Sequence, residues 1–182
     1  YLSNGHWFRT LASYGTYGVH AFFVISGFII PYALYHNQYQ LTQYPQFIKK
    51  RLIRLEPSYL LSIFCLLTLG FLSYSFSPYT SQKSFQIDGV NLLYHIGYLV
   101  PFIKGAHWLN PVYWTLAIEF QFYLLIGLLF PLMLSQKIGY KLLPILFFSG
   151  MYFIFPSDDF LFHYAWLFSI GIFLFYWREK LL

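Results

Sequence analysis

The stretch VYWTLAIEFQFYLLIGLLFPLML, residues 112–134, is long and apolar enough to cross a lipid bilayer as one helix. About 20 apolar residues are needed to span a hydrocarbon core that is about 30 Å thick. Glu119 is the only charged residue in the stretch, and a carboxyl group in hydrocarbon is costly. The stretch therefore predicts a membrane helix whose acidic face is turned toward other parts of the protein.

The rest of the chain repeats this pattern of long runs without charge. Only 9% of the 182 residues are charged, against about 25% in ordinary soluble domains. So few charges cannot cover a surface in water, which excludes a soluble globular protein. We predict a single membrane domain over residues 1–182, an all-α polytopic transmembrane helix bundle with five to six membrane segments. These segments lie at about residues 17–35, 57–76, 90–103, 112–134, 142–155 and 161–177.

The positive charges predict how these segments are oriented, because Lys and Arg collect in cytoplasmic loops. Residues 90–103 are interrupted by His95, Gly97 and Pro101 and can either cross the membrane or re-enter on the same side. Re-entry keeps most cations in the cytoplasm, whereas a full crossing removes most of the bias, so we predict re-entry. The net charge of +5 then reflects topology, and the expected partner is the lipid bilayer rather than nucleic acid. The cations predicted inside are Lys49, Lys50, Arg51, Arg54, Lys137, Lys141, Arg178 and Lys180, and those outside are Arg9, Lys83 and Lys104.

A basic segment, FIKKRLIRLEP at residues 47–57, carries Arg51 and Arg54 three positions apart. Residues at this spacing share one face of a helix, and two guanidinium groups can grip a phosphate or diphosphate. The segment adjoins the membrane on its predicted cytoplasmic side. It is therefore either a phosphate-binding site or a topology anchor beside lipid headgroups.

The segment WTLAIEFQFY, residues 114–123, places Thr115 and Tyr123 one helical turn on either side of Glu119. This spacing predicts a polar stripe that faces the interior of the bundle. An ionisable group inside the membrane is a functional candidate, and a carboxyl can act in acid–base catalysis. The alternative is a structural carboxyl group that a neighbouring helix satisfies.

A third segment, GVHAFFVISGF at residues 18–28, lies in the first predicted span. Its Gly18, Ser26 and Gly27 are small enough to let helices approach closely, so we predict a packing role. His20 lies near the outer end, and an imidazole can accept a proton in catalysis, which makes a base the alternative. The other histidines are scattered without the spacing of metal ligands, and we interpret them as packing or interfacial residues with no metal site.

These three segments, in this order, resemble the acyltransferase 3 family of membrane acyltransferases. That family typically shows G-V-D-x-F-F-V-x-S-G-F, then F-x-x-x-R-x-x-R-x-x-P, then W-(T/S)-L-x-x-E-x-x-F-Y. The chain has GVHAFFVISGF, FIKKRLIRLEP and WTLAIEFQFY at these places. The resemblance covers residues 18–123, more than half of the chain.

The resemblance implies an enzyme that transfers an acyl group, such as acetyl, from acyl-CoA to a hydroxyl of a glycan or glycolipid. Acyl-CoA is then the donor substrate, and no bound cofactor is implied. The implied location is the bacterial plasma (inner) membrane. Family members carry an earlier helix with an Arg and a catalytic His, and further spans beyond the last one here, so we expect this sequence to be the middle of a longer enzyme.

The resemblance also implies roles for single residues. Arg51 and Arg54 match the pair proposed to hold CoA, and Glu119 matches the intramembrane acid. His20 stands where the family has Asp and is, with Glu119, a candidate catalytic residue. Further substrate-binding candidates are Ser26, Trp114 and Tyr123.

Two other classes of function fit some of the same features. An inactive remnant, or a partner subunit of the same fold, would explain why the chain lacks the earlier helix of the family. A transporter would explain the interrupted segment at residues 90–103 together with an acid, Glu119, inside the membrane.

Overall fold

A computed structural model describes residues 6–76, 88–154 and 161–181 of the chain. Within these residues the regular secondary structure consists of helices, with no strand, which confirms the predicted all-α fold. Lys83 and the side chain of Arg9, both predicted outside, are not among the described groups. The helices are α1 (His6–His36), α2 (Tyr44–Phe76), α3 (Gly89–Ile96), α4 (Tyr113–Met133), α5 (Ile138–Ile154) and α6 (Leu161–Arg178), with 3₁₀ turns at Leu41–Gln43 and Val100–Phe102.

Among the described residues, three stretches of helix are long and apolar enough to cross a membrane: Tyr17–His36, Leu41–Phe76 and Tyr113–Met133. Each contains or overlaps one of the predicted spans. The helices α5 and α6 have 17 and 18 residues, at the lower end of the about 17 to 25 residues that a crossing requires. They overlap the predicted segments at residues 142–155 and 161–177.

The second helix begins earlier than the sequence predicts. We expected a span from residue 57, but α2 starts at Tyr44 and continues through Pro57 to Phe76. A proline removes one backbone hydrogen bond, yet helices in membranes tolerate this loss because other groups satisfy the carbonyl. The basic segment at residues 47–57 is therefore part of the same continuous helix as the membrane span.

The segment predicted to re-enter forms only a short helix. The eight residues of α3 rise about 12 Å at about 1.5 Å per residue, well short of a hydrocarbon core of about 30 Å. The helix ends at Gly97, and the chain then makes the 3₁₀ turn Val100–Phe102. A helix of eight residues is too short to cross the membrane by itself.

Contacts divide the chain into two compact units. The first unit comprises Tyr1–Tyr44 and Ile118–Leu182, and the second comprises Pro45–Ala117. The first unit therefore contains α1, most of α4, α5 and α6. The second unit contains α3 and nearly all of α2.

In the first unit, α1 and α6 run in the same direction. The Nε2 atom of His36, the last residue of α1, lies 3.5 Å from a carboxylate oxygen of Glu179, directly after α6. The start of α5 is at the same end, because the Tyr176 hydroxyl donates to the Lys141 carbonyl at 2.6 Å. We call this end, with Lys141, Arg178 and Lys180, the basic end.

This parallel arrangement bears on the membrane topology. The chain must cross the membrane an even number of times between the end of α1 and the end of α6. With α2, α4, α5 and α6 as spans there are four crossings. If these four helices are the crossings, a fifth at residues 90–103 would put the two helix ends on opposite sides; re-entry of residues 90–103 stays a prediction.

The core of the first unit is built from aromatic rings and glycines. The ring of Phe168 on α6 stacks on Phe122 of α4 at a centroid distance of 4.1 Å and lies 5.0 Å from Phe23 of α1. Below these rings, Gly27 of α1 and Gly171 of α6 bring the two helix backbones together. A Cβ atom added at Gly27 would collide with the Phe168 carbonyl, and one at Gly171 would collide with the Val24 carbonyl.

Candidate functional site

The acidic residue of α4 is buried as the sequence predicts. The side chain of Glu119 is 5% exposed, and its neighbours Ile118 and Phe122 are completely buried. The hydroxyl of Tyr123, one turn further along α4, donates a hydrogen bond to Oε1 of Glu119. This pair gives the helix a polar site within an otherwise apolar interior.

The predicted polar stripe is shorter than expected. Thr115 is also buried, but its hydroxyl donates to the carbonyl of Val112 at 2.8 Å. Threonine in a helix often bonds to a carbonyl of the preceding turn. The hydroxyl of Thr115 is therefore directed to the backbone, and the Glu119–Tyr123 pair forms the polar centre of α4.

The segment at residues 18–28 lies on α1 in the same unit. His20 is partly exposed, with its ring centroid 6.1 Å from that of Tyr17 and 6.2 Å from that of Tyr164 on α6. Ser26 is buried, and Gly27 packs against the backbone of α6 as predicted. The prediction was wrong for Gly18, because a Cβ atom there would meet nothing within 4 Å.

One aromatic residue that belongs to none of the three segments joins two of them. Phe168 contacts Phe23, three positions after His20, and Phe122, three positions after Glu119. The first unit thus brings the α1 segment and the acidic part of α4 against the same ring. Sequence reasoning missed Phe168, because an aromatic residue in an apolar run carries no signal of its partners.

The arginine pair lies on α2 in the second unit. Arg51 is partly exposed, and its guanidinium carbon is 5.4 Å from the centroid of the Phe47 ring. Arg54 is exposed, while Leu55 on another face of α2 is buried. The two arginines therefore lie about one helical turn apart on α2, and both side chains reach the surface of the second unit. Trp114, the remaining candidate, is partly exposed in the first turn of α4.

A buried histidine organises the loop before α4. The amide N–H of Leu109 donates to Nε2 of His95 at 3.0 Å, so Nδ1 carries the proton and donates to the Asn91 carbonyl at 2.9 Å. Asn91 in turn accepts from the amide of His107 at 3.2 Å and donates to its carbonyl at 3.0 Å. Residues 107–109 are thus fixed to α3 by two side chains.

The same histidine belongs to an aromatic cluster of the second unit. The hydroxyl of Tyr59 on α2 donates to the His95 carbonyl at 3.3 Å, and its ring packs edge-on against Tyr113 at 4.9 Å. Burial lowers the pKa of His95, opposed by its hydrogen bond to the Asn91 backbone. Sequence reasoning treated His95 as a packing or interfacial residue and missed these bonds. The spacing of Asn91 and His95, four positions apart on a helix, was the available signal.

Comparisons with known proteins give one family. Neither the curated proteins nor the solved structures contain a significant match to the chain. The family model described as an acyltransferase domain, Acyl_transf_3, matches residues 2–182. Because this match covers nearly the whole chain, including all three segments discussed above, the chain belongs to the acyltransferase 3 family and is a membrane acyltransferase.

Proposed function

We propose that this acyltransferase transfers an acyl group, in the simplest case acetyl, from acyl-CoA to a hydroxyl group of an envelope glycan or glycolipid. The family assignment supports acyl transfer in general. The donor, the acceptor and the location in a bacterial plasma membrane are our proposals. They follow from the arginine pair, from the acid inside the membrane and from the family resemblance.

The donor is proposed to bind through Arg51 and Arg54. Coenzyme A carries a diphosphate and a ribose phosphate, and guanidinium groups bind such oxygens through paired N–H donors. Both arginines are accessible on α2, and the exposed Lys49 and Lys50 next to them add to the positive field. This arrangement would hold the donor where α2 meets the membrane.

The reaction is an acyl transfer in which a hydroxyl oxygen of the acceptor attacks the thioester carbonyl carbon. The C–O bond forms as the C–S bond breaks, a histidine takes the hydroxyl proton, and a proton is returned to the CoA thiolate. His20 is the candidate base within this chain. Glu119 is proposed to position or polarise a reactant.

The observation that carries the proposal is the buried Glu119–Tyr123 pair. Keeping a carboxyl group in the apolar interior of a membrane helix is expensive, and an ionisable residue in such a place is a functional candidate. The hydroxyl of Tyr123 fixes one carboxyl oxygen. The carboxyl group is thus held in a defined geometry, as positioning of a reacting group requires.

The donor site is tested by measuring acyl-CoA binding to the purified full-length protein. We expect Arg51→Ala with Arg54→Ala to weaken binding by about 100-fold or more, because hydrogen bonds to charged groups contribute about 1.5–3 kcal/mol each. The control is Lys49→Ala with Lys50→Ala, which removes the same charge but keeps both guanidinium groups. Equal loss in the two double variants would mean that only the general positive field matters, and wild-type affinity in the arginine variant would refute the donor site.

The transfer itself is tested in a bacterium that lacks its own envelope O-acylation. The complete gene is expressed, and ester-linked acyl groups on envelope glycans are measured by NMR. We expect esters with the wild-type protein and none with the arginine double variant. Absence of esters from cells with confirmed membrane expression and a known acceptor would contradict O-acyl transfer to glycans.

A further inference from the structure

A groove of about 890 Å³ runs along the first unit between α1 and α6. Its walls are apolar and include Val24 and Ile29 of α1 and Phe173 and Trp177 of α6. The side chains of Ile29, Phe173 and Trp177 are 44%, 52% and 74% exposed. Walls of this kind bind hydrocarbon rather than a polar substrate.

One end of the groove is cationic, because Arg178 and Lys180 line it. The Nε atom of Arg178 lies 3.7 Å from Glu179, but a guanidinium carries four further N–H groups. Its carbon is 5.4 Å from the centroid of the Tyr32 ring, which holds the group in place. Lys141 also lies at the basic end, where its Nζ atom donates to the Leu181 carbonyl, so positive charge exceeds that of Glu179 and the mouth of the groove attracts anions.

The position of Lys180 is set by an unusual backbone. Its φ angle is +51°, a left-handed conformation that favours glycine and costs other residues free energy. The helix cap fixes this conformation, since the Leu181 amide donates to the Tyr176 carbonyl at 3.0 Å. The Nζ atom of Lys141 also donates to the Leu181 carbonyl at 2.6 Å. A lysine kept at a site suited to glycine, beside an apolar groove, points to a use for its charge.

The depth of the groove matches one leaflet of a bilayer. Val24 lies about 18 Å before the end of α1 at His36, at about 1.5 Å per residue. One leaflet provides about 15 Å of a hydrocarbon core of about 30 Å. The end of α1 is level with the cationic mouth, because His36 contacts Glu179. An acyl chain that starts at the mouth would therefore follow the groove over about the depth of its own leaflet.

We propose that this groove is a binding site for an anionic phospholipid. The lipid phosphate lies between Arg178 and Lys180, and one acyl chain follows the apolar walls toward Val24. The leaflet is that of the basic end, which the positive-inside rule assigns to the cytoplasm, where anionic lipids attract basic residues next to membrane helices. The site is independent of the proposed acyl transfer, because none of its residues belongs to the donor site or the Glu119–Tyr123 pair.

The headgroup is tested with purified full-length protein in detergent, to which phosphatidylglycerol or phosphatidylcholine with identical acyl chains is added. Native mass spectrometry counts bound lipid, and the melting temperature gives a second readout. We expect phosphatidylglycerol to bind more tightly and to raise Tm more. Arg178→Gln with Lys180→Gln should reduce bound phosphatidylglycerol at least fivefold and abolish the preference.

The matched control is Lys104→Gln with Lys137→Gln, which removes the same charge from exposed positions that do not line the groove and should keep the preference. The proposal is overturned if the Arg178/Lys180 variant binds phosphatidylglycerol like the wild type, or if both double variants lose it equally.

The apolar part is tested by filling it. Ile29→Trp should lower the binding of both lipids, whereas Leu146→Trp on the exposed face of α5 should not. Undiminished lipid binding by Ile29→Trp would contradict the proposal even if the charge variants fail to fold. The same holds if a second copy or another protein segment, detected by cross-linking from Ile25→Cys, fills the groove in the wild type.

Discussion

At the scale of single residues, the proposed catalytic site contains polar side chains whose burial costs free energy. Glu119 is buried in an apolar helix, and its partner Tyr123 is 2% exposed. Both are readable from the sequence, because a carboxyl group in a long uncharged run is conspicuous. Their spacing of four places both on the predicted polar stripe, and the hydrogen bond between them is a finding of the structure.

Removing either partner should affect turnover more than donor binding. We expect Glu119→Gln to lower the rate of transfer by about 100-fold or more, in the range of acid–base and positioning roles, and Tyr123→Phe by about tenfold, for one hydrogen bond to a carboxyl group. The measurement is kcat and acyl-CoA affinity of the full-length enzyme. A Tyr123→Phe enzyme with an unchanged kcat would show that the hydroxyl does not position Glu119.

The residues that the sequence could not supply are those whose role is a distant contact. Phe168 and Gly171 are ordinary members of an apolar helix until α6 is placed against α1. His95 acts through the amide of Leu109, fourteen positions away. The sequence next to these residues does not predict their partners, because contacts between residues far apart in the chain are determined by helix packing.

At the scale of helices, the closest approach in the first unit is between α1 and α6. Two glycines create it, since Gly27 and Gly171 each face the backbone of the other helix. Small residues drive such packing in membranes, where lipid removes the usual hydrophobic advantage of burial. Gly27 of the α1 segment is thus explained by helix packing, without a catalytic role.

A methyl group at this crossing should destabilise the protein. We expect Gly27→Ala to force the helices apart and cost about 1–3 kcal/mol, as overpacking does, and so to lower the melting temperature in detergent. Gly150→Ala on α5 is the control, because an added Cβ atom there meets nothing within 4 Å. Equal melting temperatures for the two variants would disprove the close contact.

The short helix α3 fixes the loop that leads into α4 through hydrogen bonds of Asn91 and His95. His95 can accept from Leu109 only while it is neutral, and burial lowers its pKa below the ordinary value of 6.5. Its folded-state pKa is thus lower than its unfolded-state pKa. The stability that it contributes is therefore complete above about pH 6.5 and is lost as the pH falls below that value.

This dependence can be measured as Tm between pH 5 and pH 8. We expect the wild type to lose stability on the acidic side, and His95→Phe to be less stable at pH 8 but flatter below pH 6.5. His107→Gln is the control, because the structure uses the backbone of His107 while its side chain is exposed. An unchanged acidic slope in His95→Phe would show that another group titrates.

At the scale of the whole molecule, the sequence determines the fold class and most of the spans. Runs without charge are unambiguous when only 9% of residues are charged. The boundaries were less accurate where a helix continues into polar surroundings, as α2 does through Pro57. Hydropathy indicates which part of a helix lies in lipid, but it does not indicate at which residue the helix begins or ends.

The topology can be tested with single cysteines in a background that carries Cys65→Ser. We expect Gln38→Cys, Lys137→Cys and Lys180→Cys to react with an impermeant thiol reagent from the cytoplasmic side, and Gly89→Cys and Lys104→Cys from the other side. Labelling of positions 89 and 104 from opposite sides would show that residues 90–103 cross the membrane.

Because α2 is one continuous helix from Tyr44 to Phe76, it is expected to move as a rigid unit. Its 33 residues measure about 50 Å at about 1.5 Å per residue, against a hydrocarbon slab of about 30 Å. The distance of Arg51 and Arg54 from the bilayer surface therefore depends on how much of α2 lies inside the bilayer. A thicker bilayer would bring both arginines closer to that surface. The affinity for acyl-CoA should then depend on the acyl-chain length of the lipids in reconstituted vesicles, so that bilayer thickness tunes donor binding. An affinity independent of bilayer thickness would rule this out.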